Sequence, residues 1–405
     1  MLRRLQPALL VPLIPLSALV FSSSSDATTP SSIASCDGRV VSPPPKMKTR
    51  LFTLEEVSNP PSRKSYVIYD NGVYDITQFL ASHPGGRDKI MLAKGNRVEP
   101  YWNLYPQHLK NKYVVRDVLA PMKIGELRKE DRLTNAEVLA NEPNPYATDP
   151  VRHGDLRIIN HTPCNAETNR DALSTYITPN DDFYVRNHGP VPVCVEGEPW
   201  HVSVAGDAFD ARDIPGPKES VTVTIQCGGN RRGHFRKKAN GTQWGYGAIS
   251  TATFEGVPLR TLLEGKVKPG HKWVTVEGDD GTKCSVPLHK VMDPYGGVML
   301  ATAMNGERLP RDHGYPVRLV VPGYVGVRQV KWVRKVTLEE KEVDSMWQTG
   351  LAYKILPTAV GPDKVKDVDL GKYPGMMELP VQSVVRRAAV GKDGVLRCEG
   401  FAWSG

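Results

Sequence analysis

The most pointed chemistry in this chain lies in Thr224-Ile225-Gln226-Cys227-Gly228-Gly229-Asn230-Arg231-Arg232, which ends an apolar run of Val221, Val223 and Ile225. A thiolate is the soft metal ligand of proteins and also their best nucleophile. Glycine lets a backbone approach a bulky group closely, and paired guanidiniums hold an oxyanion through bidentate hydrogen bonds. Together they point to a metal or cofactor that handles a small anion. Taken alone, the segment reads as a strand end with a buried cysteine and solvated arginines; the rest of the chain overturns that. A second constellation is His83-Pro84-Gly85-Gly86 with His108, 25 residues further on (108 − 83). Phe79 precedes the first histidine, and Tyr101, Trp102 and Tyr105 precede the second. Neutral imidazole suits haem iron, and two of them leave no open position for oxygen chemistry, so such a site only transfers electrons.

The elements that must position these residues fall into separate units. Tyr66-Val67-Ile68-Tyr69, the Asp70-Asn71-Gly72 turn and Val73-Tyr74-Asp75-Ile76 form a hairpin pattern. Helical segments around His83 and His108 complete a compact unit over residues 49–125. Residues 126–150 are charged and end in a Pro/Asn-rich stretch, so they read as a flexible linker. Residues 151–354 show short strands with Gly/Pro turns, among them Val317–Val321 and Val330–Val333 in a mixed sheet. The expectation is an α+β domain. In residues 355–405, Val384-Val385 and Val395-Leu396 read as the first strands of a further, incomplete domain.

Composition narrows the class. The 405 residues are too many for one ordinary core. Hydrophobic content of 40% and charged content of 24% are those of a soluble globular protein. The net charge of +8 is spread along the chain with no basic block, so no nucleic-acid partner is expected. Six scattered cysteines without a CxxC pair resemble neither a zinc site nor a disulfide scaffold. Arg3 and Arg4 precede an apolar run from Ala8 to Phe21 broken by Pro12 and Pro15. That run is shorter than the ~20 residues of a membrane span. Residues 1–48 therefore read as a cleavable presequence, mitochondrial or secretory, with a linker.

Residues 50–124 resemble a cytochrome b5-type haem domain, which implies haem b held between His83 and His108. The order haem domain, linker, Cys-Gly-Gly-Asn-Arg-Arg is similar to the animal-type sulfite oxidase family. The supporting motifs are Asp149-Pro-Val-Arg-His153, Thr178-Pro-Asn180, Phe183-Tyr-Val-Arg-Asn-His188, Gly247-Ala-Ile-Ser-Thr251, Arg311-Asp-His-Gly-Tyr-Pro-Val-Arg318 and Gln329-Val-Lys-Trp332. The resemblance implies a molybdenum–molybdopterin centre with Cys227 as its single protein ligand. It places Arg186, Arg232, Trp244 and Tyr353 in the substrate pocket. Tyr184, Val185, Arg186, Asn187, His188, Asp280, His313, Arg318, Gln329, Val330 and Lys331 would grip the pterin and its phosphate, with Asp279 open as the alternative to Asp280. It further implies oxidation of sulfite to sulfate and electrons leaving singly through the haem to a cytochrome c-like acceptor in the mitochondrial intermembrane space. Residues 355–405 would begin the family's immunoglobulin-like β-sandwich, which mediates homodimerisation when complete and contributes another arginine to the pocket.

Two departures from the family pattern stand out. Residues 50–117 carry ten Lys/Arg against seven Asp/Glu, a net of +3 (10 − 7), where the family's haem domains are usually acidic. Gly228 stands where the family usually has alanine. The rival readings are a nitrate reductase-like molybdoenzyme and a haem carrier whose molybdenum domain no longer works. In assimilatory nitrate reductase the haem domain follows the molybdenum domain and a flavin domain comes next. Here the haem-type segment comes first.

Overall fold

A computed structural model describes residues 49–404, apart from 84–86, 105–107, 109–112, 141–143, 153–154, 196, 240 and 362–367. The presequence reading of residues 1–48 and the Pro84–Gly86 part of the histidine motif lie outside the described residues.

The first unit is a four-stranded sheet in the order Leu51–Phe52, Lys123–Leu127, Gly72–Asp75, Tyr66–Tyr69. Its hairpin turns at Asp70 and Asn71, whose φ values of 45° and 61° give the doubly left-handed turn that matches strand twist. Apolar residues alternate across this sheet. Phe52, Val57, Tyr66, Ile68, Val73 and Leu127 pack on one face. Val67, Tyr74, Ile76, Leu80, Val98 and Trp102 pack on the other, where the histidines are held. The helix Leu54–Ser58 starts in a capping box: Thr53 Oγ1 accepts from the Glu56 amide at 3.0 Å, and the Thr53 amide donates to Glu56 Oε2 at 2.8 Å.

The stretch expected as a linker has structure of its own. Asn135–Ala140 is helical and packs on the helix Glu99–Leu104. Asn71 bonds both the amide and the carbonyl of Leu133, and Arg97 donates to the Asp131 carbonyl, so residues 131–133 are strapped to the haem-type unit.

The larger unit is built on two five-stranded sheets. One is antiparallel: Glu219–Gln226, Ile249–Pro258, Met299–Met304 and Glu307–Arg308 in order, with Arg318–Val320 also paired to Met299–Met304. The other runs Lys283–Pro287, Trp273–Gly278, Val333–Glu339, His201–Val204, Asp207–Asp210, with one parallel pair, so it is mixed, but the strand expected there at Val317–Val321 lies instead in the antiparallel sheet. The Glu219–Gln226 strand follows its pattern. Val223 and Ile225 enter one core, while Thr222 and Thr224 on the opposite face share hydroxyl bonds with Thr253 and Thr251 at 2.9 and 2.7 Å.

One expected strand is corrected. The strand begins at Val333, not Val330. Trp332 takes φ 53°, a left-handed conformation no strand accommodates, and Val330 and Lys331 are turned to the cavity wall instead. Residues Gln382–Val390 and Leu396–Trp403 form the hairpin expected near the C-terminal end. Residues 373–379, expected in the further domain beginning at 355, are tied to the larger unit. The amides of Ile355 and Met376 reach Pro374 and Tyr353 carbonyls, and those of Val325 and Leu379 pair with Met377 and Gly323.

Candidate active site

The Glu219–Gln226 strand delivers Cys227 to a cleft. Its turn is pinned by backbone bonds: Cys227 N to Ala248 O at 3.0 Å and Asn230 N to Cys227 O at 2.9 Å. The Asn230 side-chain oxygen accepts from the Ala248 amide at 3.1 Å. The Gly229 amide donates to Cys227 Sγ at 3.4 Å, so a backbone donor already faces the sulfur.

Of the residues expected in the site, Tyr184, Arg186, His188, Cys227, Asp280, His313, Arg318, Gln329, Val330, Lys331 and Tyr353 line this cleft. Four others, Arg232 and Trp244 of the expected substrate pocket among them, do not line it. Val185 is buried with Cys164 and Ala166. Asn187 is buried and donates to Asp312 Oδ1 at 2.7 Å. Trp244 is fully buried in the core against which Cys227 packs. Arg232 folds along its own loop, with Nη1 donating to the Thr242 carbonyl at 3.2 Å. Between the two aspartates left open by sequence, only Asp280 faces the cleft. Asp279 pairs with Arg334 at 2.8 Å, with both side chains more than a third exposed.

Positive charge dominates the wall. Lys331 is half-buried and donates to the Arg186 and Asp312 carbonyls at 3.2 and 2.8 Å, and to Asn187 Oδ1. Burial pushes its ammonium down to about 7, against the pull of Asp312. Arg318 donates to the His313 and Gln329 carbonyls, and burial brings it down to about 10. Burial, with Arg186 and Lys331 nearby, keeps His188 well below the usual imidazole range. Its Nε2 lies 3.2 Å from the Tyr353 hydroxyl, which burial pushes up to about 12. Trp347 packs edge-on to the His188 ring at 4.3 Å. Burial takes His313 down to about 4, so it is neutral at pH 7. Asp280 is raised by burial, which outweighs its two bonds from Thr282.

Sequence reading did not single out Asp312 and Arg152 individually, although both stood inside quoted motifs. Arg152 grips Asp312 with two bonds of 2.8 and 2.9 Å and reaches Asp149 at 2.9 Å. Burial acts to raise the Asp312 carboxyl, but Arg152 and Lys331 hold it below its ordinary value.

The donor set fits the pterin group that the resemblance implies. Arg318 Nε is buried and has no partner among the described residues. A charged donor left so is costly, and a ligand acceptor would satisfy it. Arg186 and Lys331 line the same cleft as Cys227.

The histidine pair fits haem iron. The His83 and His108 rings are parallel within 8°, with centroids 6.2 Å apart. Metal–imidazole bonds are about 2 Å long, and the ring centroid lies about 1 Å behind the nitrogen, so one shared metal ion separates two centroids by about 6 Å. Phe79 meets the His83 ring at 5.7 Å, and Trp102 stacks on His108 at 5.5 Å. Lys89, on the helix Arg87–Met91 after His83, reaches the cleft rim: a Cβ on Gly281 would meet its Nζ at 2.8 Å.

Comparisons agree with both cofactor-binding domains. A family model described as oxidoreductase molybdopterin binding domain matches residues 188–347, and one described as cytochrome b5-like heme/steroid binding domain matches residues 53–128. The mitochondrial sulfite oxidase of Macaca fascicularis is 41% identical over 385 residues, covering 88% of this chain and 68% of the relative. The sulfite oxidase of Gallus gallus is 38% identical, covering 87% and 80%. A nitrate reductase [NADPH] of Leptosphaeria maculans is 38% identical, but over only 55% of this chain and 27% of its own length.

Proposed function

The chain belongs to the sulfite oxidase family, and on that premise we propose how its residues oxidise sulfite to sulfate. Sulfite and water give sulfate, two electrons and two protons. When bound, the molybdenum–molybdopterin group supplies the oxygen transfer and accepts the electron pair, and haem b passes the electrons on singly. The observation that carries the reading is one cleft lined together by Cys227, Arg186, Arg318 and Lys331.

Cys227 is the protein's ligand to molybdenum, its sulfur held by a strand end and a turn that leave it little freedom. Arg318, Lys331, His188, His313, Gln329 and Asp280 hold the pterin. The unpartnered Arg318 Nε is the donor we assign to a pterin or phosphate oxygen. Lys331 is charged most fully when an anion lies beside it, because an anion offsets the burial that depresses it. Arg186 holds the sulfite oxyanion, and Arg232 joins it by releasing the Thr242 carbonyl. Tyr353, protonated across the physiological range and bonded to neutral His188, offers the substrate a hydroxyl donor. The buried indole of Trp244 closes the wall behind Cys227.

His83 and His108 hold the haem iron, and Lys89 at the cleft rim supports an approach of the haem unit to the pterin side. Residues 126–150 form the interdomain connection. A cytochrome c-like protein takes the electrons, in the mitochondrial intermembrane space. The mitochondrial relatives support a mitochondrial location.

The test is an anaerobic titration of the cofactor-loaded protein with sulfite, following the haem absorption bands. Haem reduction in proportion to added sulfite is the expected result. A haem that dithionite reduces and sulfite does not, in protein carrying molybdenum, would refute the assignment.

A further inference from the structure

Gly228, directly after Cys227, lacks the methyl group usual in the family, and the folded chain shows what takes its place. A Cβ built on Gly228 would meet the Met376 sulfur at 2.9 Å, and the next contact is Met376 Cε at 4.0 Å. Met376 is 148 residues away in sequence (376 − 228), and its main chain is fixed in place. Its amide donates to the Tyr353 carbonyl at 2.7 Å, and its carbonyl accepts from Arg328 Nε at 2.9 Å. Arg328 is itself fully buried and tied to the Trp347 carbonyl and the Gln348 side chain. The main chain at 376 is therefore anchored, while its thioether lies on the turn that carries Cys227. One residue thus touches the cysteine turn through its side chain and the Tyr353 segment through its backbone.

We infer that Met376 is a positioning residue for the active site, and that Gly228 and Met376 are a matched pair in which the thioether replaces the missing methyl. The inference rests on the proposed sulfite-oxidising reading of this cleft. Methionine suits the role because its unbranched thioether fills irregular gaps. Contact is the operative property, so a side chain of equal volume should serve as well. An alanine at 228 collides with the sulfur, and an alanine at 376 leaves a void beside Cys227. Either change alone lets the turn drift relative to Tyr353. Together they restore an ordinary contact distance.

The experiment is a double-mutant cycle on the cofactor-loaded protein with Gly228→Ala, Met376→Ala and the double variant, plus Met376→Leu. Molybdenum and haem content, thermal midpoint, and the KM and kcat for sulfite are read for each. Each alanine variant should raise KM about tenfold with kcat changed less than threefold and both cofactors retained, since it displaces substrate-holding groups. The double variant should return to within about threefold of the wild-type KM, and Met376→Leu to within about twofold. Single effects that simply multiply in the double variant, or a Gly228→Ala enzyme indistinguishable from wild type, overturn the pairing. Thermal midpoints report the same coupling without substrate. A wild-type protein that fails to oxidise sulfite while its midpoints still couple would sink the functional reading and leave the contact standing.

Discussion

Replacing Asp312 with asparagine should weaken the fold and the cofactor site together. The carboxylate takes two bonds from Arg152 and one from Asn187. The side chains of Asp312 and Arg152 are only 8% and 15% exposed, so solvent screens the pair little. Removing one partner of a buried pair typically costs about 3–5 kcal/mol. Arg152 keeps Asp149 at 2.9 Å, and asparagine keeps one acceptor oxygen, which lowers the expectation to about 2–3 kcal/mol. For a unit of this size that is a fall of about 4–12 °C in melting temperature. Asp312 also helps keep Lys331 protonated, so its neutralisation lowers the lysine further below about 7. Cofactor should then be lost more readily at pH 8 than at pH 6. The assay is thermal unfolding by tryptophan fluorescence, with molybdenum-to-haem ratios after dialysis at both pH values. Trp332 is a suitable reporter because it adjoins Lys331 and donates to the Arg311 carbonyl at 2.9 Å. A melting shift below about 1 °C, or losses from Arg152→Met and Asp312→Asn that simply add in the double variant, would refute the reasoning.

Cys227→Ser should retain the haem spectrum and lose sulfite-driven haem reduction, because a hydroxyl is a poor substitute for a soft thiolate ligand; retained turnover in stopped-flow absorbance would remove the sulfur from the mechanism. His313 falls from its ordinary 6.5 to about 4 in the folded protein, so the unfolded chain binds its proton first as acid is added. Its contribution to stability is complete above pH 6.5 and is lost progressively towards pH 4, by about 3 kcal/mol in all. Urea titrations at pH 7 and 4.5 should show a His313→Gln variant losing less stability than wild type over that interval, and equal losses would count against a buried neutral imidazole.

Much of the local architecture was legible in the residues. The turn at Asp70 and Asn71, the alternation of Val223 and Ile225 against Thr222 and Thr224, and the strand end presenting Cys227 all follow from short-range pattern. Side-chain period and turn chemistry are properties of a few neighbouring residues, so they survive without the rest of the fold. The histidine pair was legible for a related reason: its spacing and aromatic neighbours lie within one compact unit. Eleven expected residues then meet at one cleft because the motifs that carry them end strands or form the irregular turns between them.

Tertiary structure alone decided the pairings between distant segments. Arg152 and Asp312 are 160 residues apart, and each lies in a motif that could equally have ended in water. The two neighbouring aspartates are chemically identical in sequence, yet the turn sends Asp280 to the cleft and Asp279 to Arg334. Val330 and Lys331 look like strand residues until the left-handed Trp332 turns them to the cavity wall. Gly228 registers in sequence only as a missing methyl, and the strap at residues 373–379 brings the sulfur that fills it. Periodicity and composition specify what a segment can become, whereas burial and contact belong to pairs of segments, and those pairs exist only once the chain has closed on itself.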